Sequence, residues 1–301
     1  MTIKGEKKFS YAVLVLPAVL IYLVVVAFPT IFSIMLSLTD YNGGKIFGAD
    51  NLHFVGFRSY EWMLFNDPSK AFYTALRNNM YIVAVSVFGQ IPLGFILAYI
   101  LTRKLIKRGG GFFQTMIFLP NVISPVIIGV LFKNFVYNRD SVYMEIVRFF
   151  DPSAEFTLNN TPMIPVLVVI LWMFTGFYMI IFLANMQRID PSIIEAARID
   201  GASESRVLWH IILPAMTNVI VTSSILAISG SLRTFDLIYV MTSGGPAGQT
   251  RVLSIYMYEQ AFQGSANYPM ANAISTVMVL ISIALIIITR AVGNIFNDKE
   301  V

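Results

Sequence analysis

Runs of about 20 apolar residues, the length that crosses roughly 30 Å of hydrocarbon as helix, centre on residues 11–36, 80–102, 115–136, 164–186, 215–238 and 271–290. A helix satisfies its own backbone hydrogen bonds in lipid, so this pattern predicts an all-α polytopic membrane protein with six transmembrane helices. Tyr11 to Phe28 follows a basic start (Lys4, Lys7, Lys8) but is too long for a signal-peptide core and lacks a small-x-small cleavage site. It reads as an uncleaved first helix. No internal repeat, low-complexity tract or linker divides the chain, so residues 1–301 read as a single transmembrane domain. Its one long polar interruption among the last three spans' cytoplasmic connections is the loop 187–214.

An even number of crossings puts both termini on one side, and the distribution of basic residues selects it. With the N-terminus cytoplasmic, the inside segments hold about 12 Lys and Arg in roughly 60 residues, against about 9 in roughly 100 outside. The short-loop cluster Arg103, Lys104, Lys107 and Arg108 carries most of that asymmetry. Both termini and the 187–214 loop are then expected to be cytoplasmic, and the longer segments 37–79, 137–163 and 239–270 external. Within the second external segment, "SVYMEIVRFF" (141–150) has helical spacing of apolar groups and reads either as an interfacial helix or as a short cap on the bundle. Asn159-Asn160-Thr161 forms a formal glycosylation sequon there.

Composition agrees with a membrane protein. Hydrophobic residues make up 56% of the 301 and charged ones 13%, with a mean hydropathy of +0.71. The chain contains no cysteine, which removes disulfides, thiolate metal sites and a cysteine nucleophile, and its two histidines, His53 and His210, are far apart in sequence. No metal site is expected. A formal charge of +4 with no basic run interleaved with aromatics argues against a nucleic-acid partner.

The spans are poor in ionisable groups, which usually mark ion pathways and proton relays. Lys133, Arg233 and Asp236 lie toward predicted external ends, and Arg233 with Asp236 has the i, i+3 spacing for a pair on one helix face. Span five carries Ser223, Ser224, Ser229, Ser231 and Thr234, and span four Trp172, Phe174, Phe177 and Tyr178. Hydroxyls beside aromatic faces suit a neutral polyhydroxylated solute. The same residues also suit ordinary helix packing and an interfacial aromatic belt. In span three, Pro120 and Pro125 remove backbone donors and predict a bend beside Asn121 and Ser124.

In the polar loop, Asp190-Pro191 signals a helix start and Gly201 a helix stop, with a second helix beginning near Ser203 and running into span five past Pro214. Ile193, Ile194, Ala197 and Ile199 are expected to share one surface. The small residues Ala196, Ala197, Gly201 and Ala202 permit close approach of another backbone, and Glu195 offers a charge. A docking element and an interfacial re-entry helix both fit these features.

Glu195-Ala196-Ala197, three residues, Gly201, nine residues, then Ile211-x-Leu213-Pro214 resembles the "EAA" loop of permease subunits of binding-protein-dependent ABC importers. "SLTDYN" (37–42), "FVGFRSY" (54–60) and "FDLIYVMTSGGP" (235–246) resemble the carbohydrate-uptake branch, in particular the maltose/multiple-sugar/glycerol-phosphate-type first permease subunit. The resemblance covers about residues 10 to 292. It implies the type I ABC importer permease fold and a coupling helix seated in a cleft of an ATPase subunit, carried by Glu195, Ala196, Ala197, Gly201, Ile211, Leu213 and Pro214. It also implies a mid-membrane solute site on spans three to five, at Asn121, Ser124, Phe174, Phe177, Ser231 and Thr234, and a turn-rich external "MTSGGPAG" (241–248) where a binding protein docks.

The implied partners are a second homologous permease subunit, two ATPase subunits, an extracytoplasmic sugar-binding protein and membrane lipid, in a bacterial or archaeal cytoplasmic membrane. No GxxxxGK[ST] phosphate loop is present, so this chain is expected to be a transport subunit and not an enzyme. No cofactor is expected on it, with ATP and Mg used by the partner ATPases. Permeases for polyamine, peptide or phosphonate, a membrane-embedded enzyme and a secondary carrier are the competing readings; each wants charged or catalytic groups that the spans do not supply.

Overall fold

A computed structural model describes residues 3–44, 52–103, 109–136, 145, 148–149 and 163–297. Lys104, Lys107 and Arg108, most of 141–150 and the sequon at 159–161 lie outside the described residues. The described residues are almost all helical, and the extended backbone among them is limited to an isolated antiparallel bridge between Thr39 and Phe54. They form two compact units, one of residues 1–70 and 256–278 and the other of residues 71–255 and 279–301.

In the first unit, α1 (Ile3–Tyr22) and α2 (Phe28–Leu36) are joined through a π-helical turn, Leu23–Ala27. Together they give an apolar span, Val13–Leu36, whose side chains are exposed along its length. The chain after α2 is tied by side chains. Ser37 shares a 2.6 Å hydrogen bond with the Tyr60 hydroxyl, Ser33 donates to Asn272 Oδ1 at 2.6 Å, and the rings of Tyr41 and Tyr268 lie 6.2 Å apart.

The second unit is built around α8 (Met163–Met186), the most buried span. Its aromatic, β-branched and Met residues fill two cores: one holds Val166, Val169, Ile170 and Met173 with Ile82, Ile128, Leu237 and Val252, the other Met179, Phe182 and Leu183 with Ile91, Phe95, Val207 and Met216. Two glycines set how near the neighbours come. A Cβ on Gly94 would lie 2.9 Å from the Met179 nitrogen, and one on Gly176 would overlap the Ile117 carbonyl. The first brings α5 (Ile91–Thr102) and the second α6 (Gly110–Val122) against α8 at backbone distance.

Span two is longer than its apolar run. It starts with α4 (Ala71–Val85), passes through a π-turn at Ser86–Gln90 and continues as α5, giving 32 helical residues, Ala71–Thr102. The extra turns hold Asn78 and Asn79, both buried, whose amides reach distant backbone. Asn78 Nδ2 donates to the carbonyls of Gln249 and Arg251, each at 2.7 Å. Asn79 donates to the Ser231 carbonyl at 3.0 Å and accepts from the Leu253 N–H at 2.8 Å.

Two spans are broken. Span three bends by 91° between α6 and α7 (Pro125–Val136), at Ile123, whose ψ of 139° is extended. Pro125 opens α7, so the break sits where the residue before a proline resists helical geometry. Pro120, by contrast, stays inside α6. Before span five, the helical run Glu204–Ala215 meets α12 (Thr217–Arg233) at 64°. Span five stops at Arg233, short of its apolar run, and a separate helix α13 (Asp236–Thr242) follows. α14 (Leu253–Phe262) and α15 (Tyr268–Asn297) complete the chain.

The candidate solute cavity and coupling loop

Between α4, α7, α8 and α12 lies a cavity of about 280 Å³. The stripe Ile170, Phe174 and Tyr178, at i, i+4 and i+8, supplies its wall on α8. Ser231, Arg233 and Thr234 line it from α12 and the residue after, Ile82, Ser86 and Gln90 from span two, Pro125 from α7, and Phe235 and Asp236 from the break before α13. The polar groups are mutually fixed. Ser231 Oγ donates to Ser86 Oγ at 3.0 Å, and Gln90 Nε2 donates to the Ile170 carbonyl at 2.9 Å. Aromatic walls with a few held polar groups are what a small hydroxylated ligand needs.

Phe174, Ser231 and Thr234, named from the sequence, share this cavity; Asn121, Ser124 and Phe177 do not line it. Asn121 and Ser124 flank the break, where α6 ends and only Pro125 faces inward. Phe177 sits one helical step off the stripe, is 38% exposed, and packs edge-on to Tyr178. Sequence reasoning did not reach Ser86 and Gln90. Their signal was two polar residues buried in the middle of an apolar run.

Arg233 and Asp236 do not make the expected i, i+3 pair. The helix breaks between them at Thr234 and Phe235, the latter at φ −132° and ψ −63°, and Arg233 Nε turns back to the Ser229 carbonyl at 3.1 Å. Both residues, exposed, border the cavity.

In the loop that joins α8 to span five, α9 (Pro191–Ile199) begins at Asp190, whose carboxylate accepts from the Ser192 N–H at 2.9 Å. That bond holds the Asp190 carboxyl below its usual pKa. α9 ends in a Schellman turn. The Ala202 N–H donates to the Ala197 carbonyl and the Gly201 N–H to that of Arg198, with Gly201 at φ +79°, a conformation costly for other residues. Ser203 then caps α10 (Glu204–Val207).

Ile194 and Ala197 pack toward the core, while Ile193 and Ile199 are 52% and 86% exposed, so the four do not share one surface as the spacing suggested. Glu195 and Ala196 are exposed beside them, as is Gly201. Ile211, Leu213 and Pro214 lie at the elbow leading into α12, the first two packed on the second core.

Glu204 organises this loop. Its Oε2 accepts from Arg103 Nη2 at 2.6 Å and Nε at 3.2 Å, and its Oε1 accepts from Arg198 Nη2 at 2.6 Å and Nε at 3.1 Å. The Tyr99 hydroxyl adds a longer bond at 3.4 Å. These donors, Arg103 first and Arg198 second, hold the Glu204 carboxyl below its ordinary range.

A polytopic helical protein with an aromatic-lined cavity beside the break in span three, and a capped helix and turn extending from the same unit, belongs to the class of multi-pass transport components. Residues 90–300 match the family of binding-protein-dependent transport system inner membrane components, and the chain belongs to that family. The lactose transport system permease protein of Rhizobium radiobacter is 34% identical over 88% of this chain and 88% of its own length. The multiple sugar-binding transport system permease protein of Streptococcus mutans is 31% identical over 93% and 94%, and a probable ABC transporter permease of Bacillus subtilis 32% over 94% and 95%. Among solved structures, a bacterial ABC transporter involved in import of the acidic polysaccharide alginate shares the fold, with a TM-score of 0.77 at 20% identity over 96% of both chains.

Proposed function

We propose that this chain is one of two membrane-spanning subunits of an ATP-driven importer that takes up a sugar or oligosaccharide. An external solute-binding protein delivers the solute, and a second homologous permease subunit completes the pathway. Two separate ATPase subunits use ATP and Mg, and this chain binds no cofactor and performs no covalent chemistry. Both termini and the 187–214 loop face the cytoplasm. Alternating access is driven through that loop, with Glu195, Ala196, Ala197 and Gly201 on the docking helix and Ile211, Leu213 and Pro214 at its elbow into span five.

The observation that carries this reading is the joining of the two sites by one chain segment. α9 and its turn lead through α10 and the elbow into α12, which supplies Ser231, Arg233 and Thr234 to the cavity. The solute is argued from the lining, in which the aromatic residues Phe174, Tyr178 and Phe235 stand beside Ser86, Gln90, Ser231 and Thr234, with the oppositely charged residues Arg233 and Asp236 at its border. Sugar names among the relatives, lactose in one and multiple sugars in another, support the same class.

The test reconstitutes the complete importer in vesicles with lactose as first probe and a panel of charged and neutral oligosaccharides beside it. Glu195→Ala and Gly201→Leu are expected to abolish solute-stimulated hydrolysis and uptake while the protein still inserts and assembles. Normal stimulation and uptake in both variants would sink the coupling assignment, and a binding protein that retains only amino acids or metal ions would sink the sugar.

A further inference from the structure

We infer that Glu204 is a positioning residue that makes the docking helix, span two and span five a single mechanical body, so that a push on α9 reaches the cavity wall that spans two and five supply. This rests on the coupling role proposed above for the 187–214 loop.

The carboxylate stands at the first position of α10, which begins the helical run into span five. Its two oxygens are divided between two other elements. One takes both donors of Arg198, in the last turn of α9, and the other takes both donors of Arg103, the residue that ends α5. A planar guanidinium held through two nitrogens fixes direction as well as distance. Arg103 is anchored in turn, since its side chain is only 10% exposed, whereas those of Arg198 and Glu204 are 51% and 54% exposed.

The same two long helices meet again deeper in the unit. Ser231 on α12 donates to Ser86 of span two, and Asn79 of span two donates to the Ser231 carbonyl. Spans two and five are thus tied at two levels, at the loop by Glu204 and beside the cavity by Ser231. Two ties oppose rotation or sliding of one helix past the other, and the second of them, Ser231 with Ser86, lies on the cavity lining beside Gln90. α7, which supplies Pro125 to the lining, lies beyond the 91° break and packs on span two and α8 through Ile128. The cavity wall made by spans two and five is thus the one joined to the docking helix by side-chain bonds.

Exposed ion pairs add little to stability, and a carboxylate clamped end-on by two guanidinia at a junction of three helices is better explained as a device for register. The chemistry predicts what replacing it does: docking survives, transmission fails.

The experiment measures solute carried per ATP hydrolysed by the reconstituted importer, with lactose as the probe. Glu204→Gln, of nearly the same shape, and Arg103→Gln are each expected to lower that ratio about tenfold, and the double variant no further, because both remove one interaction. Arg103→Lys, which keeps the cation but loses the planar two-nitrogen fork, is expected to fall between the parent and Arg103→Gln. A loss confined to protein yield, with the ratio unchanged, overturns the proposal, as do losses that multiply in the double variant. The coupling reading is tested apart from this one. If Glu195→Ala and Gly201→Leu leave stimulated hydrolysis intact, that reading fails and takes the clip with it. If they abolish it and the glutamine variants carry solute normally, the clip alone fails.

Discussion

At Gly176, a single hydrogen in place of a methyl decides whether α6 can reach α8. Alanine there must displace the Ile117 carbonyl, and overpacking of this kind costs about 1–3 kcal/mol; a lowered unfolding temperature in detergent, larger than that of an alanine on an open glycine such as Gly230, is the expected result. Ser223 gives the opposite case. Its hydroxyl is buried without a hydrogen-bond partner, so Ser223→Ala is expected to leave stability unchanged or slightly higher, because the substitution removes a desolvated group and leaves no partner orphaned. Glu204 sets the acid limit of the loop. Its folded pKa lies below the ordinary value of 4.5, so the protein gains stability from it wherever the unfolded group is ionised, and loses that gain as pH falls through the lowered value. The difference in unfolding temperature between parent and Glu204→Gln is therefore expected to persist from neutrality down to about the ordinary carboxylate range and to shrink only in stronger acid.

Among the elements, span two shows why an apolar run and a helix need not coincide. The run predicted 80–102, and the helix begins at Ala71 because Asn78 and Asn79 find backbone partners inside the protein. A buried amide that serves both the Ser231 carbonyl and the Leu253 N–H is worth more than its position on a hydropathy scale suggests. Asn79→Leu keeps the number and branching of side-chain heavy atoms but strands that N–H, at a cost of about 1–3 kcal/mol, and faster hydrogen exchange at Leu253 is the direct readout. The loop 187–214 was legible because its signals are local: an Asx cap at Asp190, a left-handed stop at Gly201 and a Ser cap at Ser203 each act within three or four residues. The cavity was legible only in part. Phe174, Ser231 and Thr234 follow from which span they occupy, but helical phase excludes Phe177 and a backbone break removes Asn121 and Ser124. Ser86 and Gln90 needed the tertiary fold, since only the packing of span two on α8 and α12 reveals which polar residues of an apolar run face inward. The same break at Thr234 and Phe235 turned an expected ion pair into two separate residues bordering the cavity.

At the scale of the molecule, a cavity of about 280 Å³ is lined by aromatic residues together with Arg233 and Asp236. If Arg233 reads solute hydroxyls, Arg233→Gln is expected to raise the apparent KM for sugar uptake about tenfold or more while the maximal rate changes less, since a lost polar contact weakens binding before it affects the motor. Equal falls in both at saturating sugar would place Arg233 in the conformational step. The paired asparagines carry one more consequence, for how the protein is made. Their acceptors and donors lie 152 to 174 residues further along the chain. At about 5–20 residues per second, span two leaves the ribosome on the order of ten to thirty seconds before Ser231 of span five and the segment 249–253 that follows it can receive its amides. During that interval the two asparagines lack these partners, and the contacts that hold them form only after the later part of the chain has been made.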